Sequence, residues 1–72
     1  MAKHYHITKV TRFRDRGAWV TVERTIKYNA TIEDVVDLAG KRGADIDEVI
    51  EELDVYGITI SSIKGYYITE ER

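Results

Sequence analysis

The densest chemistry in the sequence is carboxylate. Asp45, Asp47, Glu48, Glu51, Glu52 and Asp54 fall within ten residues, and Glu33, Asp34 and Asp37 precede them. Glycosidase-type acid and base pairs need two such groups in one cleft with pKa values driven apart, and a 72-residue chain offers little cleft. Metal ligation fares no better: His4 and His6 share a strand face, but two imidazoles are too few for zinc and no Cys or suitably spaced third ligand follows. The stretch from Gly40 to Gly43 before a helix has no Walker or dinucleotide spacing, and Asp45 at the helix start repels an anion. The expectation is an acidic protein-contact surface without catalytic residues, metal or cofactor.

A second constellation is basic. Arg12, Arg14 and Arg16 alternate around Phe13, Trp19 follows, and Lys64 sits in a later turn. Guanidinium groups interleaved with aromatics on a β-ribbon suit nucleic acid, and three arginines neutralise about three phosphates. The same groups also protect a strand edge, or pair with the acidic helices within the molecule or across a dimer. Residues 1–30 hold seven basic groups and two acids, net +5, whereas residues 31–72 hold four basic groups and eleven acids, net −7. The overall −2 conceals a dipolar chain.

The elements that must position these groups are readable from spacing. Residues 18–28 alternate, with Val20, Val22, Ile26 and Tyr28 on one face and only Arg24 breaking that row. Residues 4–13 read as a partner strand with a bulge or a twisted edge, because Val10 is out of phase with Tyr5, Ile7 and Phe13. Arg14-Asp15-Arg16-Gly17 supplies the turn. Thr31 caps a first helix with Asp34 at N3, and Asp45 caps a second with Glu48 at N3. Gly40, Gly43 and Gly57 mark their ends. Residues 58–60 and 66–68 read as short strands around a Ser61 to Gly65 turn, followed by a fraying tail at 69–72.

One small domain spanning 1–72 follows: a basic hairpin at 1–30, an acidic helical pair at 31–57, strands at 58–68 and the tail. The expected class is α+β, ββααββ, with the strands in one small antiparallel sheet or two. The expected core is Val20, Val22, Ile26, Ile32, Val35, Val36, Ala39, Ile46, Val49, Ile50, Leu53, Ile58 and Ile60. No Cys is present, which removes disulfide scaffolds and zinc fingers, and no run approaches the ~20 apolar residues of a membrane span. The first residues carry no apolar signal core, so a cytoplasmic setting without a membrane partner is expected. The open hairpin edges make a homodimer plausible.

Helix, glycine-containing turn, helix and hairpin over residues 31–68 resemble a winged helix-turn-helix, with Thr31 to Gly40 as first helix and turn, Ile46 to Leu53 as recognition helix and Gly57 to Ile68 as wing. A glycine-rich turn at Gly40 to Asp45, and a β-hairpin in place of the supporting first helix, depart from that pattern. On the second helix Ile46, Val49, Ile50 and Leu53 occupy an arc of about 100°. The acids fill the opposite half with no basic residue among them, which opposes phosphate contact. Asp47/Glu51 and Glu48/Glu52 are like-charged i, i+4 pairs, each unfavourable by ~0.2–0.5 kcal/mol.

This acidic variant resembles the N-terminal acidic module of primary sigma factors, where a similar helix leads into a Gly-Ile-x-Ile strand, here Gly57 to Ile60. It is also similar in size and charge layout to small phage-encoded DNA mimics. The resemblance implies a non-enzymatic inhibitor or regulator, of viral or mobile-element type, whose Asp47, Glu48, Glu51, Glu52, Asp54, Glu33, Asp34 and Asp37 dock on a basic DNA-binding protein. The alternative is a nucleic-acid-binding transcriptional regulator using Arg12, Arg14, Arg16, Trp19 and Lys64.

Overall fold

The structure, a computed structural model, describes residues 2–71. The chain runs β1 (Tyr5–Asp15), β2 (Ala18–Ala30), α1 (Ile32–Lys41), α2 (Ile46–Tyr56), β3 (Ile58–Ile63) and β4 (Tyr66–Glu70). The expected α+β class and ββααββ order hold, and the strands form one antiparallel sheet in the order β2-β1-β4-β3. No helix among the described residues is long and apolar enough to cross a membrane.

Local chemistry sets the element ends. Arg16 and Gly17 both take positive φ, 51° and 82°, between the paired Asp15 and Ala18, as a tight hairpin with right-handed strand twist requires. Thr31 and Asp34 form a reciprocal capping box, and the Asp45 side chain accepts from the Glu48 N–H. Gly57 ends α2 in the left-handed region.

Both helices lie on one face of the sheet, here the front. Register places Ile7, Ile68 and Thr59 side by side across β1, β4 and β3, and all three are buried. Around that row pack Tyr5, Ala30, Val35, Ala39, Val49, Leu53 and Ile63. Val35, Ala39, Val49 and Leu53 were expected in the core, whereas Tyr5, Ile7, Ala30, Ile63 and Ile68 were not. Val22, Ile26, Ile32, Ile50 and Ile60 are exposed instead, Ile60 by 72%. Val20, Val36, Ile46 and Ile58 are half-buried.

Two geometric causes account for the difference. The β1–β2 pairing slips between Tyr5 and Ile7 and between Ile7 and Thr8, each time leaving an extra residue on β2, so Tyr28 leaves the row of Val22 and meets His6, while Ile26 stays on the helix side near Ile7 and Leu38 but half open to solvent. The bulges therefore sit on the edge strand and not on β1, whose ladders on both sides leave no room for an extra residue. Second, β4 pairs with β1 only from Tyr5 to Lys9. Beyond that point β1 and β2 run on as a bare two-stranded ribbon with no layer above or below. Six further residues at ~3.4 Å each carry it about 20 Å outward, and the molecule measures 47 × 24 × 20 Å.

The C-terminal segment is more ordered than expected. β3 extends to the buried Ile63, so the turn is only Lys64-Gly65. The tail is engaged as well: β4 reaches Glu70, and the Glu71 N–H donates to the His4 carbonyl at 2.8 Å. Arg72 lies outside the described residues.

Burial predicts two opposite substitution effects. Ile63→Ala empties a fully buried site and is expected to cost about 2–5 kcal/mol, against under about 0.5 kcal/mol for Ile60→Ala. Thr59 is fully buried and its hydroxyl has no hydrogen-bond partner. Thr59→Val replaces that hydroxyl by a methyl of similar volume and is expected to stabilise by about 1 kcal/mol. Urea unfolding of the three variants measures each value.

Candidate functional site

Alternation assigns the ribbon's two faces. Residues directly opposite each other share a face, so Arg14/Trp19, Arg12/Thr21 and Val10/Glu23 form the back, and Phe13/Val20, Thr11/Val22 and Lys9/Arg24 form the front. On the back, Trp19 is 61% exposed and carries two guanidinium groups, with Arg12 Cζ 5.3 Å and Arg14 Cζ 5.6 Å from its ring centroid. Arg14 also donates through Nη2 to the Gly17 carbonyl at 3.1 Å, which ties it to the turn.

Lys64 joins this group from the other hairpin. A depression on the back face is lined by Val10, Arg12, Glu23, Ile60, Lys64 and Tyr67, among others. The Tyr67 hydroxyl donates to Glu23 Oε2 at 3.4 Å. Four of the five residues expected on a basic surface, Arg12, Arg14, Trp19 and Lys64, are therefore gathered. Arg16 stands apart at the turn. Among the described residues no arginine is ion-paired, so the expected pairing of Arg12, Arg14 and Arg16 with the acidic helices within one molecule does not occur.

The acidic set divides. Asp34 accepts from the Thr31 N–H at 3.0 Å and pairs with Lys27 Nζ at 3.2 Å, while Asp37 pairs with Lys41 at 3.1 Å. Glu52 accepts from the Ser62 hydroxyl, joining α2 to β3. These three carboxylates are committed within the fold. Glu33, Asp47, Glu48, Glu51 and Asp54 are exposed with no ion pair among the described residues. Val55 is exposed beside them, because α2 continues to Tyr56.

The two histidines have structural neighbours. His6 Nε2 lies 3.7 Å from Glu71 Oε1, and its ring meets Tyr28 edge-on at 4.9 Å. No group of three metal-ligating side chains occurs among the described residues. Arg42, which nothing in the sequence marked, lies with Cζ 5.2 Å from the Tyr66 ring. Its placement follows from the C-cap of α1, a position that spacing does not connect to a β4 tyrosine. Comparison with protein-family models, with curated proteins and with solved structures finds no match.

The Asp34 carboxyl titrates below its usual 3.8, first because the Thr31 backbone N–H donates to it and then because of Lys27. A folded-state value below the unfolded one gives stability that is complete above the ordinary carboxylate range and is lost as pH falls through it, below about 4. Asp34→Asn is therefore expected to be less stable than the parent at neutral pH. Thermal melts from about pH 5 to about pH 2 should show that gap closing.

Proposed function

We propose that the chain is a non-enzymatic nucleic-acid-binding protein that works through the back face of its basic ribbon. The observation that carries this reading is the pair of guanidinium groups over the exposed Trp19, with no ion pair among the described residues, beside a depression shared by Arg12, Glu23 and Lys64. Guanidinium groups held in this way offer forked donors to phosphate oxygens. The exposed part of the Trp19 ring offers stacking to a base, worth ~1–3 kcal/mol in known single-strand sites.

The ribbon tip stands about 20 Å beyond the end of the β1–β4 pairing, two or more Debye lengths at physiological salt. Arg14 and Trp19 near the tip are thus screened from the acids of the base more than Lys64 is.

Labelled single-stranded and duplex oligonucleotides titrated at low salt should both be retained. The slope of log K against log salt should be between about −2 and −3, as expected for three contacts from Arg12, Arg14 and Lys64. Arg12→Glu with Arg14→Glu should abolish retention, and Trp19→Ala should weaken single strands more than duplex. Absence of retention at low salt overturns the proposal.

A second reading rests on the exposed carboxylates Glu33, Asp47, Glu48, Glu51 and Asp54, which have no ion pair among the described residues. In it they stand in for phosphates and dock on a basic DNA-binding protein, with inhibition by competition. Displacement of duplex from such a protein, lost on Asp47→Lys with Glu51→Lys, supports this reading. Unchanged duplex occupancy removes it.

A further inference from the structure

We propose that the front face of the ribbon is covered by the helical layer of a second copy of this chain, and reciprocally, in a two-fold dimer. Phe13 and Val22 on that face are 44% and 47% exposed, and Val20 is half-buried beside them. Their alternation with polar residues is that of a strand with one covered face, yet within one molecule nothing covers it. A bare two-stranded ribbon is only marginally stable in water, so the uncovered row is a cost that a partner removes.

The chain's other end holds a matching surface. A groove of about 450 Å³ opens between α1, α2 and the segment before β1, with Tyr5, Ile32, Ile50 and Leu53 as apolar walls, Glu33 and Asp54 among its lining groups, and Lys3, which pairs with Glu70, as its one cation. Neither carboxylate is ion-paired among the described residues. The ribbon's front presents Phe13 and Val20 near its tip, with Lys9 and Arg24 behind them, Arg16 at the turn and the single acid Asp15 beside it. Apolar residues flanked by an excess of cations thus meet an apolar groove flanked by an excess of carboxylates.

Two-fold symmetry closes this contact. Both surfaces lie on the helix side of the sheet, at opposite ends of a 47 Å molecule. Two copies placed front to front and antiparallel bring each ribbon tip to the other's groove and set the two helical layers end to end between two sheets. The contact is isologous and self-limiting. Ribbon stacked on ribbon instead gathers the Lys9, Arg16 and Arg24 charges of both copies and leaves the groove empty. The nucleic-acid contacts stay free, because Arg12, Arg14 and Trp19 face the other way, so this inference stands apart from the proposed function.

Sedimentation of the full chain over a concentration series tests it. The parent should dimerise, more weakly at high salt. Phe13→Asp with Val22→Asp on the ribbon, and Glu33→Lys with Asp54→Lys at the groove, should each weaken dimerisation roughly tenfold or more. All four side chains are exposed, so both variants should keep the parent's circular dichroism. Mixing the two variants should restore a dimer, since the intact ribbon of one meets the intact groove of the other. A parent that stays monomeric overturns the proposal. So does a groove variant that dimerises like the parent, or a mixture that remains monomeric.

Discussion

The fold depends on a mismatch of lengths. Helices α1 and α2, of ten and eleven residues, are each only about 15–17 Å long, while β1 and β2, of eleven and thirteen residues, would reach about 37 and 44 Å fully extended. Two short helices and the short β3–β4 hairpin cover the base of the long hairpin and leave the rest bare. The buried row of Ile7, Ile68 and Thr59 marks where the helical layer holds the sheet. The distribution of charge and aromatic groups follows this division between a packed base and a free ribbon.

Charge is separated by the same geometry. The packed base carries the acidic helices, and its carboxylates split between internal partners and solvent. Asp34 holds both the helix cap and Lys27 at the foot of β2, so the capping box also anchors the ribbon to α1. Among the described residues the ribbon's arginines have no ion-pair partner. The ribbon tip stands about 20 Å, two or more Debye lengths, beyond the end of the β1–β4 pairing, so the tip keeps its own field.

Much of this was legible residue by residue, because local rules govern it. Thr31 and Asp45 announce their helices through cap chemistry, Gly17 its hairpin and Gly57 its helix end. The clustering of Arg12, Arg14 and Trp19 follows from alternation alone once the turn is placed. What covers a strand is not local. The Val20 and Val22 row has the alternation of a half-buried strand, yet the helices stop short of it. Tyr28 changed face because bulges on the edge strand shift its phase, and their one sequence mark, Asn29 at a φ of 57°, is weaker than a Gly would be. Ile63 and Ile68 became core because the C-terminal hairpin pairs with β1, a long-range choice that short strands do not encode. Lys64 beside Arg12, and Arg42 beside Tyr66, depend on that same pairing.

The central claim is that the packed base and the free ribbon have separate tasks, with nucleic acid on the ribbon's back face. Amide hydrogen exchange of the whole chain, with and without a saturating single-stranded oligonucleotide at low salt, tests it most directly. Slowed exchange confined to residues 9–26 and 64–67, with α2 unchanged, is the predicted result. Slowing centred on residues 46–56, or no change anywhere along the ribbon, would contradict it.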